Sequence, residues 1–289
     1  MLDLFVGNRN YSSWSMRIGV LLRAFDISYK ETLLPFGTDG IGEGSRVKEQ
    51  SLAISPTGTV PISRDSGCLT ASGEALVLYD TLSIVEYVAE RFPDQSIWPR
   101  DQALRAMARN LCAEMHSGFG ALRSHCPMNI GADLHREGAI IWRDQPNVRH
   151  DVVRVDTAWE NARTLSRGPF LCGKDFGAVD AYFAPVVMRL KYYSFYRSAT
   201  PATSIWIKSA TFLVCRIGLP ARSKRQNFRF RRAFQTSTLI SKPSFGGYFR
   251  AQTRCVKNLG KLFRRIHGNL RFALLLARFW FMLQIWRKS

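Results

Sequence analysis

The amino-acid sequence predicts an α/β domain at the N-terminus, an all-α domain after it, and an irregular C-terminal third. Short strand-like runs and amphipathic helical runs alternate through residues 1–92. From residue 100 to residue 191 apolar residues recur only at helical spacing, which is typical of an appended helical domain. All 22 acidic residues of the 289-residue chain lie before residue 192, so a different composition begins there.

The first half of the N-terminal domain contains a predicted strand, helix and second strand. Residues 2–6 form an apolar run that ends at Gly7-Asn8, a turn signal. Residues 15–25 place apolar side chains at helical spacing, and residues 27–34 form the second strand, which Pro35 ends. Residues 37–45 contain four glycines and are expected to form a loop.

The second half adds two predicted strands and a helix. The strands cover residues 60–63 and 75–78, and the amphipathic helix covers residues 81–91. The resulting order, β-α-β and then β-β-α, is that of a thioredoxin-like domain. Residues 92–99 contain two prolines and form the expected linker.

Four helical segments are predicted in the second domain. Gly177 and Asp180 precede the last of them, and an acidic residue three positions after an N-cap can accept a hydrogen bond from the N-cap amide. We therefore expect half of a capping box at this helix. The four segments cover residues 103–122, 133–143, 148–165 and 178–192.

Composition limits the compartment and the chemistry. Met1-Leu2-Asp3 lacks the basic start of a secretory leader. The six cysteines form no Cys-x-x-Cys pair and no metal-ligand spacing. The sequence therefore predicts a cytoplasmic protein with free thiols and no bound metal.

Three short motifs in the first domain indicate a function when they are considered together. They are Tyr11-Ser12-Ser13-Trp14-Ser15-Met16-Arg17, then Gly58-Thr59-Val60-Pro61, then residues 79–87 beginning Tyr79-Asp80-Thr81. In this order and spacing they resemble the N-terminal half of a cytosolic glutathione S-transferase. The resemblance covers about residues 1–191 and implies a serine-type enzyme near the zeta or tau classes, with glutathione as co-substrate.

The first motif supplies candidate catalytic hydroxyls. A free thiol has a pKa of ~8.5, so only a few per cent is ionised at neutral pH. A hydroxyl that donates a hydrogen bond to sulfur near a helix N-terminus favours the thiolate. The resemblance places this role at Ser12; Ser13 is the alternative one residue along, and Tyr11 is a third candidate. On the residues alone, Ser12 and Ser13 also fit a plain helix cap.

The second and third motifs supply the binding residues that the resemblance implies. It implies a cis Val60-Pro61 bond, with the backbone of Val60 paired to the cysteinyl part of glutathione. Thr59 stands where relatives often have lysine. Asp80 and Thr81 open a helix and would hold the γ-glutamyl end through a carboxylate, a hydroxyl and a backbone amide.

The second substrate and the assembly are less defined by the sequence. An electrophilic small molecule would sit between the domains, near an apolar stripe that is also typical of a helix core: Met107, Leu111, Met115 and Phe119. The resemblance implies a homodimer. A function from another class also fits the sequence: a non-catalytic transferase-like binding module whose basic tail contacts nucleic acid or an acidic partner.

The last third, residues 192–289, has 20 Lys and Arg residues and no acidic residue. Three explanations fit it: a changed reading frame, a basic arm for nucleic acid around residues 222–232, or a membrane-surface helix over residues 270–287. The abrupt break favours the changed frame. We expect this tail to form no third domain and to have no specific nucleic-acid partner and no membrane association.

Overall fold

A computed structural model describes residues 1–195 of the chain. The first domain is built on a four-stranded sheet in the order β2-β1-β3-β4. Strand β1 pairs parallel with β2 and antiparallel with β3, and β3 pairs antiparallel with β4. The strands are β1 Leu2–Val6, β2 Lys30–Leu33, β3 Ile62–Leu69 and β4 Ala75–Leu78.

Three helices belong to the first domain and five to the second. In the first domain they are α1 Ser13–Ala24, α2 Arg46–Leu52 and α3 Thr81–Arg91. In the second they are α4 Gln102–Ser117, α5 Gly120–His125, α6 His135–Asp144, α7 Pro146–Ser166 and α8 Ala178–Tyr192. The predicted fold class, a thioredoxin-like α/β domain followed by helices, is confirmed for the part of the chain that the structure describes.

Several elements differ from the sequence-based expectation. Helix α2 was not predicted; Ser45 caps it by accepting a hydrogen bond from the Lys48 amide, at 3.4 Å. The expected helix over residues 103–122 is two helices, because the chain turns at Phe119, whose φ is 55°. Strand β3 begins two residues later than expected and runs on to Leu69.

One hydrophobic core extends through both domains. It includes the inner faces of β1, α1 and α3 together with α4, α7 and α8. Helix α1 packs against α8, so the first domain rests directly on the last helix of the second. Tyr193 and Phe195, beyond the predicted end of the helical domain at residue 191, are buried in the same core.

The expected capping arrangement at α8 is confirmed. Asp180 Oδ2 accepts a hydrogen bond from the backbone N–H of Gly177, at 3.0 Å. Asp180 Oδ1 accepts another from the N–H of Leu171, also at 3.0 Å. Because Asp180 is buried, this one carboxylate joins the start of α8 to the preceding loop.

Within residues 1–195, none of the helices combines the length and the apolar character that crossing a membrane requires. The prediction for the basic tail concerns residues 192–289, of which 196–289 lie outside the described residues.

Candidate active site

Ser12 caps the N-terminus of α1 and turns its hydroxyl inward. Its Oγ donates to Ser15 Oγ at 2.8 Å and accepts from the Ser15 N–H at 3.4 Å. Ser15 Oγ in turn accepts from the Gly7 N–H at 3.1 Å. Ser12 is only 6% exposed, so its hydroxyl ties the start of α1 to the end of β1.

Ser13, the first residue of α1, presents a different hydroxyl. Its Oγ accepts from Arg189 Nη2 at 3.4 Å, and its carbonyl oxygen accepts from Arg17 Nη1 at 2.9 Å. Ser13 is half-buried, and within residues 1–195 no acceptor takes its hydroxyl proton. Accepting from a guanidinium polarises a hydroxyl and makes it a better donor. Ser13 therefore has the donor that thiol activation requires.

Two buried arginines lie beneath the start of α1. No carboxylate pairs with Arg17 or Arg189 in the described part of the chain, and Arg17 Nε and Nη2 have no hydrogen-bond partner there. Burial lowers the pKa of Arg17 to about 9 and that of Arg189 to about 10, so both keep their charge at neutral pH. The result is a local excess of positive charge that favours an anion nearby.

Aromatic rings hold the Arg17 guanidinium in place of an acid. Its Cζ lies 4.2 Å from the centre of the Trp14 ring and 5.0 Å from the centre of the Tyr182 ring. Cations over ring faces are stabilised by the ring quadrupole. The charge is thereby kept in the interface between α1 and α8.

The remaining residue of the hydroxyl cluster, Tyr11, lies in the turn before α1. Its backbone N–H donates to the Asn8 carbonyl at 2.9 Å. Partial burial raises the pKa of its phenol, which keeps the phenol neutral at ordinary pH.

The second motif has the backbone geometry that the resemblance implies. The Val60-Pro61 bond is cis. Val60 packs beside a small apolar cluster at the end of the sheet that includes Phe5 and Ile62. The Thr59 hydroxyl lies 3.0 Å from that of Thr57.

Asp80 caps α3 with one carboxylate oxygen. Oδ1 accepts from the N–H groups of Leu82 at 2.8 Å and Ser83 at 3.2 Å. Oδ2 lies 3.3 Å from Nε2 of His116, on helix α4. The Asp80 side chain remains 41% exposed, so its carboxylate is still accessible to a ligand.

Thr81, expected to offer its hydroxyl to the ligand, uses it internally. The residue is buried, and its Oγ1 lies 2.7 Å from the hydroxyl of Tyr182. The same Tyr182 hydroxyl lies 2.7 Å from His116 Nδ1. As the first residue of a helix, Thr81 still carries an N–H without an intrahelical acceptor. The amide, not the hydroxyl, is the group left for an anion.

Sequence reasoning missed His116 and Tyr182. The His116 ring centre lies 5.1 Å from that of Trp14, which follows Ser13, and its other side meets Asp80. His116 thus joins the starts of α1 and α3. The available signal was weak: a histidine near the end of a predicted helix has no local partner to indicate a role.

The apolar stripe suggested for a second substrate is mainly core. Leu111, Met115 and Phe119 are buried, and only Met107 is partly exposed. Burial favours the packing interpretation over a substrate-contacting one for these three residues.

Residues 11–91 match the family model described as "Glutathione S-transferase, N-terminal domain". Among curated proteins, glutathione S-transferase 1 of Dianthus caryophyllus is 22% identical over 188 residues, which are 65% of this chain and 76% of that protein. A probable maleylacetoacetate isomerase of Caenorhabditis elegans is 29% identical over 116 residues, 40% of this chain and 47% of that protein.

The fold is also shared with solved structures. A glutathione transferase from Burkholderia graminis, with two glutathione molecules bound per subunit, superposes with a TM-score of 0.54 at 16% identity. The match covers 77% of this chain and 89% of that one. Residues 11–91 therefore match a glutathione S-transferase N-terminal domain, and the chain is similar to a glutathione S-transferase over 188 of its residues.

Proposed function

We propose that this protein is a glutathione transferase that ionises the thiol of glutathione at the start of α1. The observation that carries the proposal is the polarised Ser13 hydroxyl above two buried, acid-free arginines at a helix N-terminus. Each of these features favours a thiolate over a thiol. The family match over residues 11–91 and the relatives' names support the same activity.

We propose Ser13, rather than Ser12, as the donor to sulfur. The family motif aligns its active serine with Ser12, but the Ser12 proton is already donated to Ser15 Oγ and the side chain is buried. The Ser13 proton has no competing acceptor within residues 1–195. Ser12 would then stabilise the helix start, and Tyr11 would border the site without touching sulfur.

The rest of glutathione would lie along the other two motifs. The cysteinyl backbone would pair with the backbone of Val60, with Thr59 and Pro61 bordering it. The carboxylate of the γ-glutamyl end would bind the Thr81 N–H at the start of α3, where helix amides attract anions. Its ammonium group would meet Asp80 Oδ2, the oxygen that the cap leaves accessible.

The electrophilic small molecule, the serine class, a homodimeric assembly and a cytoplasmic location complete the proposal. They rest on the match of residues 11–91 to the transferase N-terminal domain and on the absence of any cysteine from the segment that opens α1. A cysteine there would favour redox chemistry, whereas a serine suits conjugation or isomerisation through a glutathione thiolate.

Calorimetric titration with glutathione, followed by a conjugation assay with a chloronitrobenzene, tests the function. We expect saturable binding, an ultraviolet thiolate band of bound glutathione at neutral pH, and turnover. Binding without a thiolate band and without turnover would select the non-catalytic binding module. No binding at all would refute both functions.

A further inference from the structure

We propose that His116 and Tyr182 of the helical domain belong to the glutathione site as positioning residues that fix Asp80 for the ligand's ammonium group. The proposal rests on the proposed function and adds two residues from the second domain to it. Its basis is a chain of contacts: hydrogen bonds join Thr81 to Tyr182 and Tyr182 to His116, and an ion-pair contact joins His116 to Asp80.

The chain runs from the interior to the surface. Thr81 Oγ1 and the Tyr182 hydroxyl are 2.7 Å apart, and the Tyr182 hydroxyl and His116 Nδ1 are also 2.7 Å apart. Nε2 of His116 then reaches Asp80 Oδ2 at 3.3 Å. Thr81 and Tyr182 are buried, whereas the His116 side chain is 33% exposed. The buried residues Thr81 and Tyr182 therefore hold the partly exposed His116 and Asp80 in place.

The direction of the proton donors follows from the partners. A carboxylate can only accept, so the proton in the 3.3 Å contact between His116 and Asp80 belongs on Nε2 of the imidazole. In the tautomer with its proton on Nε2, Nδ1 accepts, and the Tyr182 hydroxyl donates to it. Burial raises the pKa of Tyr182 to about 12, so the phenol retains its proton. The Tyr182 oxygen is left to accept from the Thr81 hydroxyl.

This arrangement holds the Asp80 carboxylate at both oxygens. The amides of Leu82 and Ser83 hold Oδ1, and His116 holds Oδ2 from one side. A carboxylate oxygen accepts more than one hydrogen bond, so Oδ2 can also accept from an ammonium group on its open side. Without His116 the Asp80 carboxylate could rotate about χ2, and Oδ2 would no longer be fixed in position for the ammonium group of the ligand.

A ligand without the ammonium group separates this role from a general structural one. Deamino-glutathione, in which the γ-glutamyl amino group is replaced by hydrogen, cannot bind Asp80 through an ammonium. We expect His116→Ala to weaken glutathione binding about tenfold while changing the affinity for deamino-glutathione by less than about twofold. The KM for glutathione should rise with kcat unchanged at saturation, because the lost contact does not involve the thiol.

Conservative variants provide the internal checks. His116→Gln keeps an amide N–H near Oδ2 and should recover most of the glutathione affinity. Tyr182→Phe keeps the buried ring and removes the hydroxyl that anchors His116 Nδ1 and accepts from Thr81, so we expect an affinity loss of about threefold for glutathione alone. His135→Ala is the matched control: His135 pairs with Asp133 at 2.6 Å in an exposed position, and its loss should change neither affinity.

The outcomes distinguish the two proposals. If the unaltered protein binds neither ligand, the proposed function fails. If it binds glutathione but His116→Ala weakens both ligands equally, or neither, then His116 does not position Asp80 and this inference is overturned. A circular dichroism spectrum and melting temperature for each variant show whether an equal loss comes from unfolding.

Discussion

Replacing Ser13 by alanine removes one hydroxyl from a half-buried position and leaves the helix cap at Ser12 in place. We expect the variant to fold as the parent does. Alanine is the best helix former, and Arg189 keeps its bonds to the carbonyl oxygens of Cys126 at 2.9 Å and Pro185 at 3.4 Å. The change therefore isolates the bond from the hydroxyl to sulfur.

The size of the effect follows from the charge on the acceptor. A hydrogen bond to a charged group contributes about 1.5–3 kcal/mol, which corresponds to a change of about one to two units in the pKa of the bound thiol. Turnover at a pH below the pKa of the bound thiol should fall about 10- to 100-fold, because the thiolate fraction falls by that factor. Affinity for glutathione should change little, since most of its contacts lie elsewhere.

The assay is the ultraviolet thiolate band of bound glutathione, titrated against pH for the parent, Ser13→Ala and Ser12→Ala. Ser12→Ala should lower the free energy of unfolding by about 0.5–2 kcal/mol through the lost cap and leave the thiol pKa in place. The opposite pattern would refute the choice of Ser13: a band lost in the folded Ser12→Ala variant and kept in Ser13→Ala.

Three further changes test other parts of the structure. Asp180→Ala should lower the free energy of unfolding, measured by denaturant titration, by about 3–5 kcal/mol, because the buried N–H groups of Leu171 and Gly177 lose their acceptor. A loss below about 1 kcal/mol would contradict the role of Asp180 in joining α8 to the preceding loop. Arg17→Met should raise the pKa of the bound glutathione thiol, because a buried positive charge near the thiolate is lost. It should not lower the melting temperature, because the guanidinium is buried without a carboxylate partner. An unchanged thiol pKa would show that Arg17 does not stabilise the thiolate. Burial raises the carboxyl pKa of Asp65, but hydrogen bonds from Tyr87 and from the Gly67 amide outweigh this and hold that pKa below its usual range. The ionised Asp65 therefore stabilises the folded protein at any pH above the pKa that this carboxyl has in the unfolded chain. This stabilisation is lost as the pH falls through the lower pKa of the folded state. Asp65→Asn should therefore flatten the acid limb of the stability curve, and an unchanged limb would show that another carboxylate controls it.

The sequence predicted those helices whose N-cap residues and apolar periodicity lie within the helix itself or next to it. Helix α3 was predicted with its observed bounds, because Asp80 is a good N-cap and an amphipathic run follows it. Helix α8 was predicted with its observed bounds as well. Helix α2 was missed because its seven residues follow a glycine-rich loop and are too few to show a period.

The polar part of β3 was missed for a different reason. Asp65 interrupts the apolar alternation, and its burial depends on Tyr87, 22 residues later in the chain, whose hydroxyl donates to it at 2.7 Å. A partner at that separation is invisible to a pattern read along the sequence. The fold had to bring the two together before a strand could contain a buried acid.

The candidate site shows the same limit. The motif order identified the three segments, but the pairing of Ser13 with Arg189 joins residues 176 positions apart. His116 and Tyr182 are separated by 66 positions. Which of two adjacent serines is free to donate depends on these long-range partners, so the sequence alone left both open.

Helix α8 carries a consequence for how the molecule unfolds. Every residue from Ala178 to Leu190 is buried, so this helix has no face turned to water, and one of its contacts is α1 of the first domain. A helix that is buried on all sides depends on surrounding elements for its stability. The linker at residues 92–99 therefore separates two sequence patterns but not two cooperative units. A fragment of residues 1–92 would expose the face of α1 that α8 now covers, and calorimetry of residues 1–195 should record both domains melting in one transition.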